Sequence, residues 1–327
     1  MKGKAKIVIA ASAVLLLLTT FVFSGCKEEQ AEDLQNTSIE VVDGEGNIIA
    51  LDRPVERIIV LAPSILEIAD GLGVMEKIIE VDNFSVMAGE ALAAGFEGVG
   101  DNQSLNVERI AELDPDILIA ITGGPEDDYN KVRELGIPVY RVINVMGMDG
   151  VYQEILNISK ITGKEERGLE LIGDLRSQVE DISSKVEGLT DDQRPAVFYE
   201  IWNEPLMSAG ADTFINDLIE IAGGKNILSE DGLTGWVEYS IETLIEKDPD
   251  VIIVPLSLVT DPLSLEVDPS IILEDPRFAS INAVIDGDVY IVPDNPVSRP
   301  SQNIIKGLQM LARAIHPEIF GEFEIIE

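Results

Sequence analysis

The sequence predicts an α/β protein of two similar lobes, each carrying a parallel sheet with helices on both faces, with a ligand cleft between the lobes. Three observations lead there. First, the stretch VERIAELDPDILI at 107–119 has a near copy, IETLIEKDPDVII, at 241–253. Each reads as a short helix with a glutamate in its first turn, Glu108 or Glu242, then an Asp-Pro-Asp stop, then a buried strand. Second, strand and helix patterns alternate on either side of the middle of the chain, the signature of parallel sheets covered by helices. Third, the middle lacks a strand pattern, and Leu169, Leu171, Ile172, Leu175, Val179 and Ile182 recur there at helical spacing. A helix over 164–186 would be about 35 Å long at roughly 1.5 Å per residue, enough to run from one lobe to the other. Two-lobed proteins place their ligands in the cleft.

Lys2, Lys4 and Lys6 precede an uncharged apolar run over 7–23, which ends in Ser24-Gly25-Cys26. This order is that of a secretory signal, with an uncleaved anchor as the competing reading. The small-small-Cys ending resembles the bacterial lipobox, in which the cysteine thiol takes a lipid, although Phe23 stands where that motif usually has Leu. Residues 1–25 are therefore read as a lipoprotein signal with Cys26 as the lipidation site. Residues 26–38 are polar, without an apolar period, and read as a flexible tether. The N-terminal lobe is expected over 39–146. It begins with a hairpin around Gly44-Glu45-Gly46, followed by strands at 57–61, 78–81, 117–121 and 139–142 and helices at 65–72, 107–113 and 129–135. A connecting helical segment covers 147–190. The C-terminal lobe, 191–327, carries strands at 196–201, 251–254 and 289–292, helices at 213–222 and 241–247, and a closing amphipathic helix at 302–315.

The formal net charge is −37, and loss of residues 1–25, which hold three lysines and no acids, takes it to −40. Such acidity disfavours nucleic acid and anionic membrane surfaces as partners and keeps an exported body dispersed. Cys26 is the only cysteine, so the exported part holds no disulfide and no thiolate metal site, and its stability must come from a large core. His316 is the only histidine and is expected at the surface, ending the last helix. No Ser-His or Cys-His pair can be assembled, and neither a phosphate loop nor a dinucleotide fingerprint is present. No catalytic residue, cofactor or resident metal site is therefore assigned.

Glu108 and Glu242 follow good N-caps, Asn106 and Ser240, and both suit the positive end of a helix dipole. At that level they are either helix-end electrostatics or one exposed carboxylate per lobe, spaced for a symmetric partner. The segments RIIVLAPS (57–64), VFYEIW (197–202) and FINDLIEIAGGKN (214–226), the two glutamate/Asp-Pro-Asp units, and Arg299-Pro300 followed by the last helix and His316-Pro317-Glu318 together resemble the solute-binding proteins of importers for cobalamin, siderophores and haem. The resemblance runs over about 40–320. It implies two Rossmann-like α/β lobes joined by a single long connecting helix, a ligand between the lobes, no enzymatic activity, and docking through one glutamate per lobe onto an ABC permease dimer with its ATPase subunits. The matching glutamates are Glu108 and Glu242.

The stretch 196–236 is most similar to the cobalamin-binding branch. The resemblance implies Trp236 and Phe84 as ligand-stacking rings. Ser64, Asn83, Asn102, Gly123, Gly124, Trp202 and Arg299 complete the candidate ligand-binding set. Asn102 falls where a cobalamin binder can carry Trp, and Ile201 replaces an aromatic that the neighbouring Trp202 could stand in for. Trp236 follows Gly232, Thr234 and Gly235 in an expected loop. The expected ligand is a metal chelate, cobalamin or another corrinoid, with a ferric siderophore or haem as the alternative. An exported metal-dependent enzyme using acidic cleft residues is the competing class.

Overall fold

The computed structural model describes residues 38–142, 147–260, 268 and 270–326. The signal segment and Cys26 lie outside the described residues. Residues 37–327 form one unit. It opens with an antiparallel hairpin of β1 (Ile39–Val42) and β2 (Ile48–Leu51). There follow β3 (Ile58–Leu61), α1 (Pro63–Leu72), β4 (Ile78–Val81), α2 (Asn83–Met87), α3 (Val107–Leu113), β5 (Ile117–Ile121), α4 (Glu126–Glu134) and β6 (Val139–Val142). The four strands after the hairpin form an all-parallel sheet in the order β4-β3-β5-β6. Next come α5 (Gly147–Thr162) and α6 (Glu165–Val186).

The second sheet uses β7 (Ala196–Asn203), β8 (Leu206–Ala209), β9 (Lys225–Asn226), β10 (Trp236–Glu238), β11 (Val251–Pro255) and β12 (Val289–Val292). Its helices are α7 (Phe214–Ile221), α8 (Ile227–Glu230), α9 (Ile241–Lys247), α10 (Ser270–Leu273), α11 (Asn282–Asp286), α12 (Asp294–Ser298), α13 (Ile304–Ile315) and α14 (Pro317–Phe320). The strand order is β10-β8-β7-β11-β12, with β9 beside the first residues of β7.

This sheet corrects the expectation of two parallel sheets, because it is mixed. Only Glu204 and Pro205 separate β7 from β8. A link that short can join strands only antiparallel, and β8 then pairs antiparallel with β10. The expected long helix is there as α6, and a second helix, α5, precedes it within the expected connecting segment and packs beside it. Val151, Tyr152, Ile155, Ile158 and Ile161 carry the helical period of α5.

The repeated sequence units fold alike. Asn106 caps α3 by accepting from the Arg109 amide, and Ser240 caps α9 by accepting from the Thr243 amide. Each helix ends in an aspartate in the left-handed region, Asp114 at φ 46° and Asp248 at φ 47°. The second aspartate of each Asp-Pro-Asp then ties two parallel strands at their starts. Asp116 Oδ2 accepts from the amides of Glu56 (2.7 Å) and Arg57 (3.0 Å), and Asp250 Oδ2 accepts from the Ala196 amide at 2.7 Å.

Alternate residues of the central strands go to opposite cores. Ile58 and Val60 of β3, Ile117 and Ile119 of β5, Val197 and Tyr199 of β7, and Val251 and Ile253 of β11 all belong to one apolar cluster that also takes in α1, α5, α6, α7 and α13. Ile59, Leu61, Leu118 and Ala120 face a separate cluster under α3 and α4. Phe198, Ile252 and Val254 face a third.

His316 corrects the surface assignment. It is 2 % exposed, with Nε2 3.2 Å from the Gly223 carbonyl and Nδ1 2.8 Å from Glu318, because the end of α13 packs against the turn after α7.

Glu200 on β7 is fully buried, and neither carboxylate oxygen has a hydrogen-bond partner among the described residues. Burial pushes its pKa from 4.5 up to about 7, against the pull of Arg277. The folded protein therefore holds this proton more tightly than the unfolded chain does. The stability that the protonated form contributes is complete below pH 4.5 and is lost as pH rises through about 7. Glu200→Gln is expected to be more stable than wild type above pH 7, by on the order of 2 kcal/mol, and to flatten the fall in stability between pH 4.5 and 7. Urea unfolding of both proteins across that range measures it, and parallel pH profiles would contradict it.

Candidate functional site

The carboxyl ends of the parallel strands converge on one cavity of about 970 Å³. Ile121 and Val142, the last residues of β5 and β6, line it, as do Ala62 after β3 and Pro255 at the end of β11. Open α/β sheets bind ligands at this edge, where successive loops diverge.

Phe84 enters from the N-terminal lobe on α2. Asp82 caps that helix, accepting from the Ser85 amide at 2.8 Å and the Ser85 hydroxyl at 2.7 Å. Glu80 Oε1 accepts from the amides of Glu97 and Gly98, both at 3.0 Å, and holds the loop behind the helix. Phe84 is left 60 % exposed and lines the cavity.

Trp236 enters from the C-terminal lobe. It is the first residue of an edge strand rather than part of a loop, because it pairs with Ala209. The Gly210 amide donates to the Gly235 carbonyl at 2.8 Å, and the Gly235 amide to the Ala211 carbonyl at 2.9 Å. This close approach requires glycine at 210, since a Cβ there would strike the Leu233 carbonyl. The Trp236 ring meets Phe214 edge-on, with centroids 5.8 Å apart at 65°, and is 42 % exposed. Tyr199 and Ile201 of β7 line the wall nearby, and burial holds the Tyr199 phenol far above its ordinary pKa, so it stays neutral.

Three carboxylates and one guanidinium line the cavity among the described residues: Glu90, Asp212, Asp294 and Arg299. Arg299 is not free. Its Nη2 donates to Glu90 Oε1 at 2.6 Å, and its Nη1 to Glu90 Oε2 at 3.1 Å and Glu67 Oε1 at 3.2 Å. Burial works against its charge, but the hydrogen bonds and charges of Glu90 and Glu67 outweigh it, and its pKa is raised. Glu67, buried in α1, also accepts from the Ser301 hydroxyl and from Asn303 Nδ2 at 3.0 Å, and its carbonyl accepts from Gln302 Nε2 at 2.6 Å. One carboxylate thus gathers residues 299–303, ahead of α13, onto the first helix of the other lobe.

Of the residues the sequence singled out, Ser64, Phe84, Trp236 and Arg299 line the cavity. Asn83 does not. Its side chain accepts from the Gly100 amide at 3.2 Å and its amide donates to the Gly100 carbonyl at 2.7 Å, so it fastens the loop beneath Phe84. Asn102 is exposed beside the Asp101 turn. Gly123 and Gly124 form the turn into α4, the latter packed against the Tyr129 ring. Trp202 is 55 % exposed, with Nε1 donating to the Glu204 carbonyl at 2.9 Å. Strand alternation sends Ile201 to the cavity and Trp202 away, so Trp202 does not stand in for the aromatic that Ile201 replaces. Sequence reasoning missed Glu90, Tyr199, Phe214 and Asp294. Phe214 and Tyr199 sit in the segments that carried the family resemblance, whereas Glu90 had no signal, since its partner lies 209 residues away.

Glu108 and Glu242 are exposed in the first turns of α3 and α9 and lie outside the cavity lining. A hydrogen bond from the Ser240 hydroxyl (2.7 Å) lowers the Glu242 pKa. Among the described residues no group of histidine, cysteine, aspartate and glutamate side chains is set to hold a metal, and no helix is long and apolar enough to cross a membrane.

The family model for periplasmic binding proteins matches residues 58–296. An uncharacterised ABC transporter substrate-binding lipoprotein, YvrC of Bacillus subtilis, is 27 % identical over 318 residues, 94 % of this chain and 97 % of its own. A cobalamin-binding protein of Halobacterium salinarum is 27 % identical over 275 residues, 84 % of this chain and 73 % of its own. The solved structure of the periplasmic heme-binding protein RhuT from Roseiflexus sp. RS-1, in apo form, superposes with a TM-score of 0.69 at 23 % identity, covering 80 % of this chain and 98 % of that one.

Glu67→Ala is expected to lower the unfolding free energy by about 3 kcal/mol, because it leaves the Ser301 hydroxyl buried without its acceptor and removes one partner of Arg299. Urea denaturation measures the loss, and a change within about 0.5 kcal/mol, typical of surface sites, would remove Glu67 from this role.

Proposed function

The chain belongs to the periplasmic binding protein family, and from that premise we propose that it is the extracytoplasmic, lipid-anchored solute-binding protein of an ABC importer, with a corrinoid such as cobalamin as its ligand. The observation that carries the ligand reading is the pair of aromatic rings, Phe84 and Trp236, which face one cavity from opposite lobes. At about 970 Å³ the cavity lies at the upper end of ligand sites, roughly 300–1,000 Å³. Flat rings beside apolar lining residues such as Ile121, Val142 and Ile201 suit a large macrocycle that can be stacked from both sides.

Charge separates the candidate chelates. Among the described residues the one lining cation is paired with carboxylates and the remaining charged lining groups are acids, which favours a neutral or cationic chelate over haem or a catecholate siderophore. The identity with the cobalamin-binding protein of Halobacterium supports the same choice, while the likeness to the heme-binding structure carries the fold alone. An enzymatic reading finds less support. Asp294 is engaged with the Ser257 amide at 3.0 Å and Glu90 with Arg299, so these two carboxylates serve as acceptors within the wall rather than as a free acid/base pair.

In this reading the lipid on Cys26 holds the protein at the membrane, the cleft captures the ligand, and Glu108 and Glu242 dock the loaded protein on basic sockets of the permease dimer. ATP hydrolysis by the importer's ATPase subunits then drives passage.

Trp236→Ala is expected to weaken cyanocobalamin binding roughly ten- to a hundredfold, since burying and stacking one ring contributes about 1–3 kcal/mol. Calorimetric titration of folded wild type and variant decides it, and equal affinities would take Trp236 out of the site. Replacing both Glu108 and Glu242 with Arg should leave that titration unchanged but abolish uptake of labelled cobalamin, because like charges would face the sockets. Normal uptake by the double variant rules out the docking role.

A further inference from the structure

Arg299 is the one cation in a cavity whose other charged lining groups are acids, among the described residues. A guanidinium at the wall of a ligand site ordinarily pairs with a carboxylate or catecholate of the ligand, and two-pronged hydrogen bonding makes such pairs strong. Here the prongs are already taken. Glu90 receives both terminal nitrogens, Nη2 at 2.6 Å and Nη1 at 3.1 Å, in the fork-to-fork geometry that an anionic ligand would otherwise adopt. Glu90 itself lines the cavity, so its carboxylate occupies the place of a ligand carboxylate. Glu67, at 3.2 Å from Nη1, also holds the guanidinium and keeps it at the wall.

We propose that Glu90 is a specificity-determining residue of the cleft: by holding Arg299 it withholds the lining cation from the ligand and excludes anionic chelates. The inference rests on the cleft being the ligand site and specifies the charge of what it accepts. An incoming ligand carboxylate would have to displace Glu90 from Arg299 and then sit beside the displaced charge. A neutral chelate does neither. Removing the Glu90 charge while keeping its shape leaves Arg299 with Glu67 as its one carboxylate and takes away the two-pronged partner that an anionic ligand would replace, so the discrimination shifts toward anions. This is selection by an unfavourable arrangement for the wrong ligand as much as by contacts to the right one.

The test uses haemin, whose two propionates make it an anionic chelate, and cyanocobalamin, which is electroneutral, each titrated by absorbance into folded wild type, Glu90→Gln and Glu90→Gln/Arg299→Gln. The expected result is a roughly ten- to hundredfold rise in haemin affinity in Glu90→Gln over wild type, with cyanocobalamin affinity unchanged, the range for one charge-assisted hydrogen bond. The rise should shrink with added salt and disappear in the double variant, where no cation remains. A Glu90→Gln protein with wild-type haemin affinity overturns the proposal, and so does a rise that survives in the double variant, since Arg299 would then not be its source. The cyanocobalamin titration of wild type decides the corrinoid reading separately, because the shift in haemin affinity is read among the variants alone.

Discussion

The apolar layer shared by the two sheets is the constraint on which the remaining architecture depends. The inward faces of β3, β5, β7 and β11 and the buried sides of α1, α5, α6, α7 and α13 form one cluster rather than two. A hydrophobic core of this kind is close-packed, and packed interiors resist continuous deformation. The lobes are therefore joined through packed helices, not tethered by a loop, and the cavity at the strand ends is a gap between two bodies that share a base. Phe84 and Trp236 can line one cavity only because the helices beneath them hold the sheets in place.

On that base the chain places its charges twice, with different consequences. At the start of each sheet's strands, an Asp-Pro-Asp aspartate accepts backbone amides and ties neighbouring strands together, once through Asp116 and once through Asp250. At the other end of the strands, Glu67 and Glu90 converge on Arg299 and join residues 299–303 to the opposite lobe. The first arrangement is local and repeats with the sequence. The second exists once, spans more than 200 residues of chain, and sets the charge of the cavity wall.

The acidity of the chain bears on solubility more than on the site. A net charge of −37 spreads over a surface in water, where screening limits its reach. At the cavity wall the Arg299 guanidinium and the carboxylates around it matter more, because they are largely buried and water screens them less. The proposed preference for a neutral chelate thus follows from a few side chains and not from overall composition.

The sequence alone was enough for the strand-helix alternation, the two matched units, the hairpin at Gly44-Glu45-Gly46 and the long helix expected over 164–186. Each of these is written in periodicity or in local caps such as Asn106 and Ser240, which act within a few residues. It also singled out Ser64, Phe84, Trp236 and Arg299, which proved to line the cavity, through a resemblance that compares positions along the chain. Only the tertiary structure decided that Asn83 fastens a loop, that Ile201 rather than Trp202 faces the cavity, that His316 is buried, that the second sheet is mixed, and that Arg299 is neutralised by Glu90. Strand alternation could have placed Ile201 and Trp202 on opposite faces, but which face meets the cavity is settled by what packs on the other side. The Glu90–Arg299 pair has no sequence signature at all, because hydrogen bonds act over about 3 Å in space, and residues 209 positions apart reach that distance only when both lobes have folded onto the common core.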